Sequence, residues 1–266
     1  MTSILSLEQT MFSKTSFIVI LALSMLLLVS CNLPARQASP TPGTTPASPS
    51  APVPSPTPVS LCTNPYFPIT LGDSWDYSGN NTFLGAYTRT DTVTSSSESG
   101  FAIQTDQADL AYTQSYTCLP QGLLSANPVQ QYAGALLSDP NLPLALEITS
   151  NTGISLPARV APGDTWQQAA GFKATSQDFN LNGRFVFDYR AVGFEQVTVP
   201  LGTFNALRVD ATIRIEVSGL HILAGTYTTS SWLAVGIGVV KSQGNSNVPG
   251  VDFTDDMQLV GFTPWQ

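Results

Sequence analysis

Apolar and polar residues alternate through much of the second half of the chain. In Leu207–Val217 the residues Leu207, Val209, Ala211, Ile213, Ile215 and Val217 share one face, and Arg208, Asp210, Thr212, Arg214 and Glu216 share the other. A period of two predicts a strand with one buried and one wet face. Arg184–Val199 repeats the pattern, with Phe185, Phe187 and Tyr189 inward and Asp188 and Arg190 outward. Between them, Val199-Pro200-Leu201-Gly202-Thr203 has proline and glycine where a type I turn takes them, which predicts a long hairpin. Its outward arginines and carboxylates would form weak cross-strand pairs. Further strands are predicted near Thr82–Thr94, Phe101–Thr105, Ala111–Cys118, Leu144–Thr149, Thr226–Leu233, Ile237–Lys241 and Met257–Phe262. After Leu61 no stretch keeps a helical period over three turns; Gln121–Ser138 comes nearest, and Pro128 and Gly134 interrupt it. The expected class is all-β, antiparallel because the connections are short.

The N-terminal part follows a different pattern. Phe17–Val29 is an almost wholly apolar run of thirteen residues, preceded by Lys14 and followed by Ser30 and Cys31. That is short for a bilayer span of about 20 residues and right for the core of a signal peptide. Leu28-Val29-Ser30-Cys31 resembles the bacterial lipobox, which implies cleavage after Ser30 and a diacylglycerol anchor on Cys31. Two or more acyl chains hold a protein on a bilayer stably where one does not. A start at Met11 would give the better-formed signal. Residues 32–60 then carry nine prolines among Ser, Thr and Ala. At that density an extended stalk is expected, reaching roughly 90 Å at about 3.1 Å per residue; a proline-motif ligand is the alternative. The expected division is therefore 1–30 signal, 31–60 anchor and stalk, and 61–266 an extracytoplasmic β domain.

A short echo runs through that domain. Phe67-Pro68 leads to Gly72-Asp73-Ser74-Trp75, and Leu156-Pro157 leads to Gly163-Asp164-Thr165-Trp166. Each copy would open one of two similar halves, 61–150 and 151–266. Three landmarks add to this: Tyr66-Phe67-Pro68 with Gly72-Asp73-Ser74-Trp75-Asp76-Tyr77, Pro200-Leu201-Gly202-Thr203-Phe204-Asn205-Ala206-Leu207-Arg208-Val209, and Trp232-Leu233-Ala234-Val235-Gly236-Ile237-Gly238-Val239-Val240-Lys241. Together they resemble a group of exported bacterial β proteins, mostly uncharacterised and often lipoproteins. The resemblance implies a curved antiparallel sheet, or a partly open barrel or sandwich. It transfers no catalytic residue.

Composition narrows the function classes. Residues 61–266 hold eight basic residues against seventeen acidic ones, a net charge of −9. Such a surface repels nucleic acid and anionic lipid alike, so nucleic-acid binding is not expected and the bilayer is reached through the acylated Cys31. Cys62 and Cys118 remain as an even pair, a disulfide in an exported domain or two buried thiols. Gly72-Asp73-Ser74 resembles the nucleophile block of Gly-Asp-Ser esterases. His221 is the sole histidine, however, and Ser218 stands where the partner aspartate is needed. One histidine makes no transition-metal site, and Asp252, Asp255 and Asp256 lack EF-hand spacing. No cofactor and no metal is expected. Trp75, Trp166 and Trp232 are expected in the core and Trp265 at the surface. The expected function is non-catalytic binding of an apolar ligand or an envelope partner. Its alternatives are glycan hydrolysis by a carboxylate pair and a purely structural or adhesive role.

Overall fold

A computed structural model describes residues 60–265 except 83, 109, 131–144, 177–179, 219–221 and 248–252. The signal, nearly all of the stalk, His221 and Asp252 therefore lie outside the described residues, as does the second half of Gln121–Ser138. Apart from the single residue Gln130, no helix falls within them. They form thirteen strands: β1 Ser74–Asn81, β2 Gly85–Ser96, β3 Gly100–Gln107, β4 Leu110–Leu119, β5 Gly122–Ser125, β6 Ala145–Gly153, β7 Leu156–Pro157, β8 Thr165–Thr175, β9 Asn180–Val199, β10 Gly202–Val217, β11 Ile222–Ala234, β12 Gly238–Asn247 and β13 Thr254–Thr263. These make one antiparallel sheet in the order β6-β8-β9-β10-β11-β12-β13-β1-β2-β3-β4-β5-β7. It is not closed into a barrel.

Alternation decides the inner face, as the pattern requires. Along β10 Leu207, Val209, Ala211 and Ile213 are buried, while Arg208, Asp210, Thr212 and Arg214 stay partly open. Arg214 meets Asp188 of β9 at 2.8 Å on the outer face. The turn at Pro200–Leu201 makes the hairpin, with Gly202 opposite Val199. Its tip passes beyond the neighbouring strands, since Ala206 is already level with the end of β11 at Ala234. Val197 and Val199 are buried there, and Leu201 N–H donates to the Leu259 carbonyl of β13 at 3.3 Å. The hairpin thus folds over one end of the curled sheet.

The segment 61–73 covers the same end. Phe67 packs on Trp75, Phe101 and Tyr116. Asn64 Nδ2 donates to the Pro157 carbonyl at 2.9 Å, and Gly236 N–H donates to the Pro65 carbonyl at 2.8 Å. Cys62 is bonded to Cys118 of β4, Cα to Cα 4.9 Å. The start of the domain is tied to three separate strands or turns.

The two ends of the strand order meet in sequence. β6 pairs with β8, β7 pairs with β5, and only Ile154 and Ser155 lie between β6 and β7. The edges are joined there by side chains. Gln168 of β8, fully buried, donates from Nε2 to the Ser125 carbonyl of β5 and to Asn151 Oδ1 of β6, both at 2.9 Å. Its Oε1 accepts from Ser155 Oγ at 2.7 Å, and that oxygen in turn accepts the Ser125 N–H. A buried amide with all its groups met is what such a position demands.

Candidate functional site

The Gly-Asp echo is also a structural one. In the first copy Asp73 N–H donates to the Thr70 carbonyl, and Asp73 Oδ2 accepts the Thr70 N–H at 2.8 Å. In the second, Asp164 N–H donates to the Ala161 carbonyl, and Asp164 Oδ2 accepts the Ala161 N–H at 2.8 Å. Gly72 and Gly163 stand at φ 92° and 93°, a left-handed conformation that glycine alone takes without strain. Each turn then pairs with the next strand in the same way, Asp73 with Val93 and Asp164 with Ala191. The aspartates are turn-formers; Ser74 follows as an ordinary strand residue.

This equivalence gives a ruler. Trp75 lies opposite Asp91, and Trp166 opposite Tyr189. Two steps on, Tyr77 faces Arg89 and Gln168 faces Phe187; then Gly79 faces Tyr87 and Ala170 faces Phe185. One strand further, Asp91 faces Thr105 and Tyr189 faces Ala211. On the other side, Asn81 faces Asp255 and Phe172 faces Ile148. Tyr87, Arg89, Asp91, Thr105 and Asp255 therefore occupy the positions held by Phe185, Phe187, Tyr189, Ala211 and Ile148. The frame is shared and its lining is not.

Around Phe187 the interior is an ordinary hydrophobic cluster: Phe187 and Ile213 are buried, and Ile148, Phe185 and Tyr189 pack on them with Val129 of the β5–β6 connection. Around Arg89 there is instead a cavity of about 170 Å³. It reaches from Phe67 and Trp75, under the closed end, to Leu84, Leu110 and Phe253 at the opposite end, where β1–β2, β3–β4 and β12–β13 are connected.

In its wall, Arg89 Nε donates to Asp91 Oδ1 at 2.9 Å and Nη2 to Oδ2 at 2.8 Å. The two side chains are only 13% and 11% exposed. Thr105 Oγ1 donates to Asp91 Oδ1 at 2.7 Å, and Tyr87 Oη to Asp255 Oδ1 at 2.8 Å. Burial opposes the charge on Arg89, but Asp91 and its hydrogen bonds outweigh it and hold the guanidinium firmly protonated. Burial, with Asp91 and Asp255 nearby, pushes the Tyr77 and Tyr87 phenols up, so both remain donors. Burial also raises the Asp255 carboxyl, against the pull of Tyr87 and Arg89. Tyr112 Oη is fully buried beside Thr105, with no well-aligned hydrogen bond among the described residues.

A bidentate pair buried in a wall costs desolvation that hydrophobic residues of similar size avoid. The equivalent strands avoid it with Phe187 and Tyr189. The charged set is an addition to the frame rather than part of it.

The sequence-derived candidates fall elsewhere. Leu28, Val29, Ser30 and Cys31 lie outside the described residues. Cys62–Cys118 and the turns at Gly72-Asp73 and Gly163-Asp164 line the closed end, as does the hairpin with Pro200 and Gly202. Trp75 borders the cavity and donates from Nε1 to the Ile237 carbonyl; Trp166 stacks on Tyr189 at 5.3 Å and donates to the Ser155 carbonyl. Trp232 is buried on the outer face between Arg208 and Lys241. Trp265 is 67% exposed. Asp255 and Asp256 do not act together: Asp255 turns to Tyr87, and Asp256 accepts from Gln243 and Gln258. Among the described residues no three His, Cys, Asp or Glu side chains gather as metal ligands.

A family model described as DUF3108-like matches residues 144–247, essentially β6 to β12. Among solved structures, the chain is similar to a protein provisionally described as exported, with a YmcC-like fold, from Bacteroides fragilis (14% identity, 76% of this chain and 100% of that one, TM-score 0.49). It is similar to a protein provisionally described as a lipoprotein from Parabacteroides distasonis (15%, 76% and 99%, TM-score 0.48). A third is the hypothetical lipoprotein YmcC of Escherichia coli (8%, 73% and 86%, TM-score 0.33). A search of curated proteins gives no match.

Proposed function

We propose that this chain is a non-catalytic lipoprotein on the extracytoplasmic side of a bacterial membrane, held there by acylated Cys31 and the 32–60 stalk, whose β domain binds a ligand in the Arg89 cavity. One observation carries the ligand reading: a buried Arg89–Asp91 pair and a void stand where the equivalent strands are filled by phenylalanine, tyrosine and isoleucine. Perturbed charge in a concavity is where binding sites gather. The mixed lining replaces the purely apolar ligand with one that has an apolar face and a polar group. The pocket favours a ligand over a structural role, and its two carboxylates, Asp91 and Asp255, are each engaged by wall residues. Asp91 is held by Arg89 and Thr105, and Asp255 by Tyr87.

The test has two arms on the full chain, expressed in an exporting bacterial host. Cys31→Ser should move the protein from the membrane to the soluble fraction and abolish incorporation of a labelled fatty acid. Native mass spectrometry of the wild type should show an added mass that is lost in Arg89→Phe/Asp91→Tyr, the pair carried by the equivalent strands. Unchanged membrane retention would sink the anchor. A bound mass indifferent to the double substitution would sink the site.

A further inference from the structure

Resting on the lipid anchor of that reading, we infer that the closed end of the domain is a second membrane contact, which seats its exposed apolar residues in the interface of a zwitterionic bilayer.

The exposed hydrophobic residues are gathered there. Leu61, Leu71, Leu201, Val235, Val260 and Trp265 stand exposed on the loops and strand ends that close the sheet. Val192 and Phe194 follow on the stretch of β9 that runs past the start of β8 toward the hairpin tip. Among the described residues, only Leu84 is a large exposed hydrophobic at the opposite end. Apolar residues scattered singly over a surface need no explanation, whereas a collection at one end marks a contact. Backbone and ring contacts tie these loops together. Gly236 N–H donates to the Pro65 carbonyl beside Val235, Leu201 N–H donates to the Leu259 carbonyl beside Val260, and the Trp265 ring lies against Gly72 beside Leu71. Trp265, the most exposed of the set, is held in place: the buried Asp73 accepts its backbone N–H at 2.8 Å.

Charge selects the occupant. The loops of this end, residues 61–73, 97–99, 120–121, 158–164, 200–201, 235–237 and 264–265, carry Asp73, Glu98, Arg159 and Asp164 as their charged side chains. Asp73 and Asp164 are turned onto backbone N–H groups, and the exposed Glu98 and Arg159 are opposite in sign. A second copy seated here would bring its own net charge of −9 against this one. A zwitterionic surface brings none, and tryptophan is a residue that favours the headgroup level of a bilayer. The chain that bears Cys31 also joins the domain at this end, through Ser60 and Leu61 next to the Cys62–Cys118 bridge. A tether makes the second contact intramolecular, so shallow insertion of a few side chains suffices.

Tryptophan fluorescence of the acylated full chain, reconstituted in phosphatidylcholine vesicles with brominated acyl chains, tests this; flotation of the vesicles and intact mass report the anchor. Wild type should float and be quenched relative to unbrominated vesicles. Trp265→Phe should float with the quenching lost, since Trp75 and Trp232 are buried and Trp166 is stacked on Tyr189. Leu71→Glu/Val235→Glu, at two exposed positions, should also float, keep its circular dichroism and lose most of the quenching. Wild-type protein that floats without quenching would overturn the docking and leave the anchor standing. Quenching that survives Trp265→Phe would overturn it as well, because another face would then meet the lipid. A cross-linked dimer on vesicles that show no quenching, lost in Leu71→Glu/Val235→Glu, would give this end to a second copy instead. A chain without an acyl group on Cys31 would overturn the anchor, and the tethered docking with it.

Discussion

At Asp255, burial and hydrogen bonding pull the titration in opposite directions, and burial prevails: the carboxyl is raised above its ordinary value of 3.8. A carboxyl raised on folding holds its proton more tightly in the folded state. Its contribution therefore favours the fold below the unfolded value, near pH 4, and is lost as pH rises through the folded value. Asp255→Asn cannot ionise, yet it keeps an oxygen for Tyr87. It should melt higher than wild type at pH 7, with the gap closing toward pH 4; about 2–4 °C corresponds to 1 kcal/mol in a chain of this size. Melting curves between pH 4 and 8 decide it, and a gap that widens in acid contradicts the account. The Arg89–Asp91 pair makes a sharper case. Arg89→Met alone should cost about 3–5 kcal/mol, because it strands Asp91 in the wall. Arg89→Phe/Asp91→Tyr should cost far less than that single change, since the equivalent strands already accept those residues. If urea titration finds the double variant as damaged as the single one, the pair is holding the fold rather than serving a ligand.

At the scale of single elements, the two Gly-Asp turns offer a controlled comparison. A Cβ added at Gly163 meets open space, so Gly163→Ala should cost only the left-handed conformation, about 1–2 kcal/mol. At Gly72 the same Cβ runs into the Trp265 ring, whose backbone N–H is held by Asp73 Oδ1 at 2.8 Å. Gly72→Ala should therefore cost more, by denaturant midpoint at constant slope; equal costs would mean that the chain end does not rest on the turn. These elements also mark how far the sequence could be read. β9 and β10 were legible because Leu207–Val217 alternates cleanly and Pro200 and Gly202 punctuate it. The β2 strand was legible as a strand but not as a site. Tyr87, Arg89 and Asp91 sit on its inner face, so polar residues occupy the positions that periodicity assigns to the core, and the rule for finding the inside points outward. Aligning the two Gly-Asp echoes does not reveal it, since the offset from Gly72 to Gly163 sets Asp91 against Asn182 and Arg89 against Asn180. What the sequence could not supply is the hairpin pairing that makes Arg89 and Asp91 equivalent to Phe187 and Tyr189. β5 and β7 are too short for any period to show, and Gln168 reads as a polar strand residue until the strand it reaches is known.

Across the whole molecule, the curled sheet is held by two unlike joints. At one, β13 is a continuous strand, laddered to β12 along its first half and to β1 along its length. At the other, residues 145–157 switch from β8 to β5 around Ile154–Ser155, and the Gln168 amide fills the gap by bonding both sides. The disulfide braces the same side, since Cys118, near the end of β4, lies opposite Leu123 of β5. With its cysteines 56 positions apart, it stabilises by about 4 kcal/mol on the chain-entropy estimate. Gln168→Leu keeps the volume but takes the donor from Asn151 Oδ1 and the acceptor from the Ser155 hydroxyl, at about 1–3 kcal/mol for each buried polar group left unmet. If the amide is the clasp of this joint, the loss should be local before it is global. Amide hydrogen exchange in native buffer should then accelerate in β5, β6 and β8 while β12, β13 and β1 keep their protection. The cavity wall belongs to the protected side, through β1, β2 and β13, so the ligand should still bind. Uniform acceleration across both joints would show that the sheet opens as one unit and that the side-chain network adds stability without forming a seam.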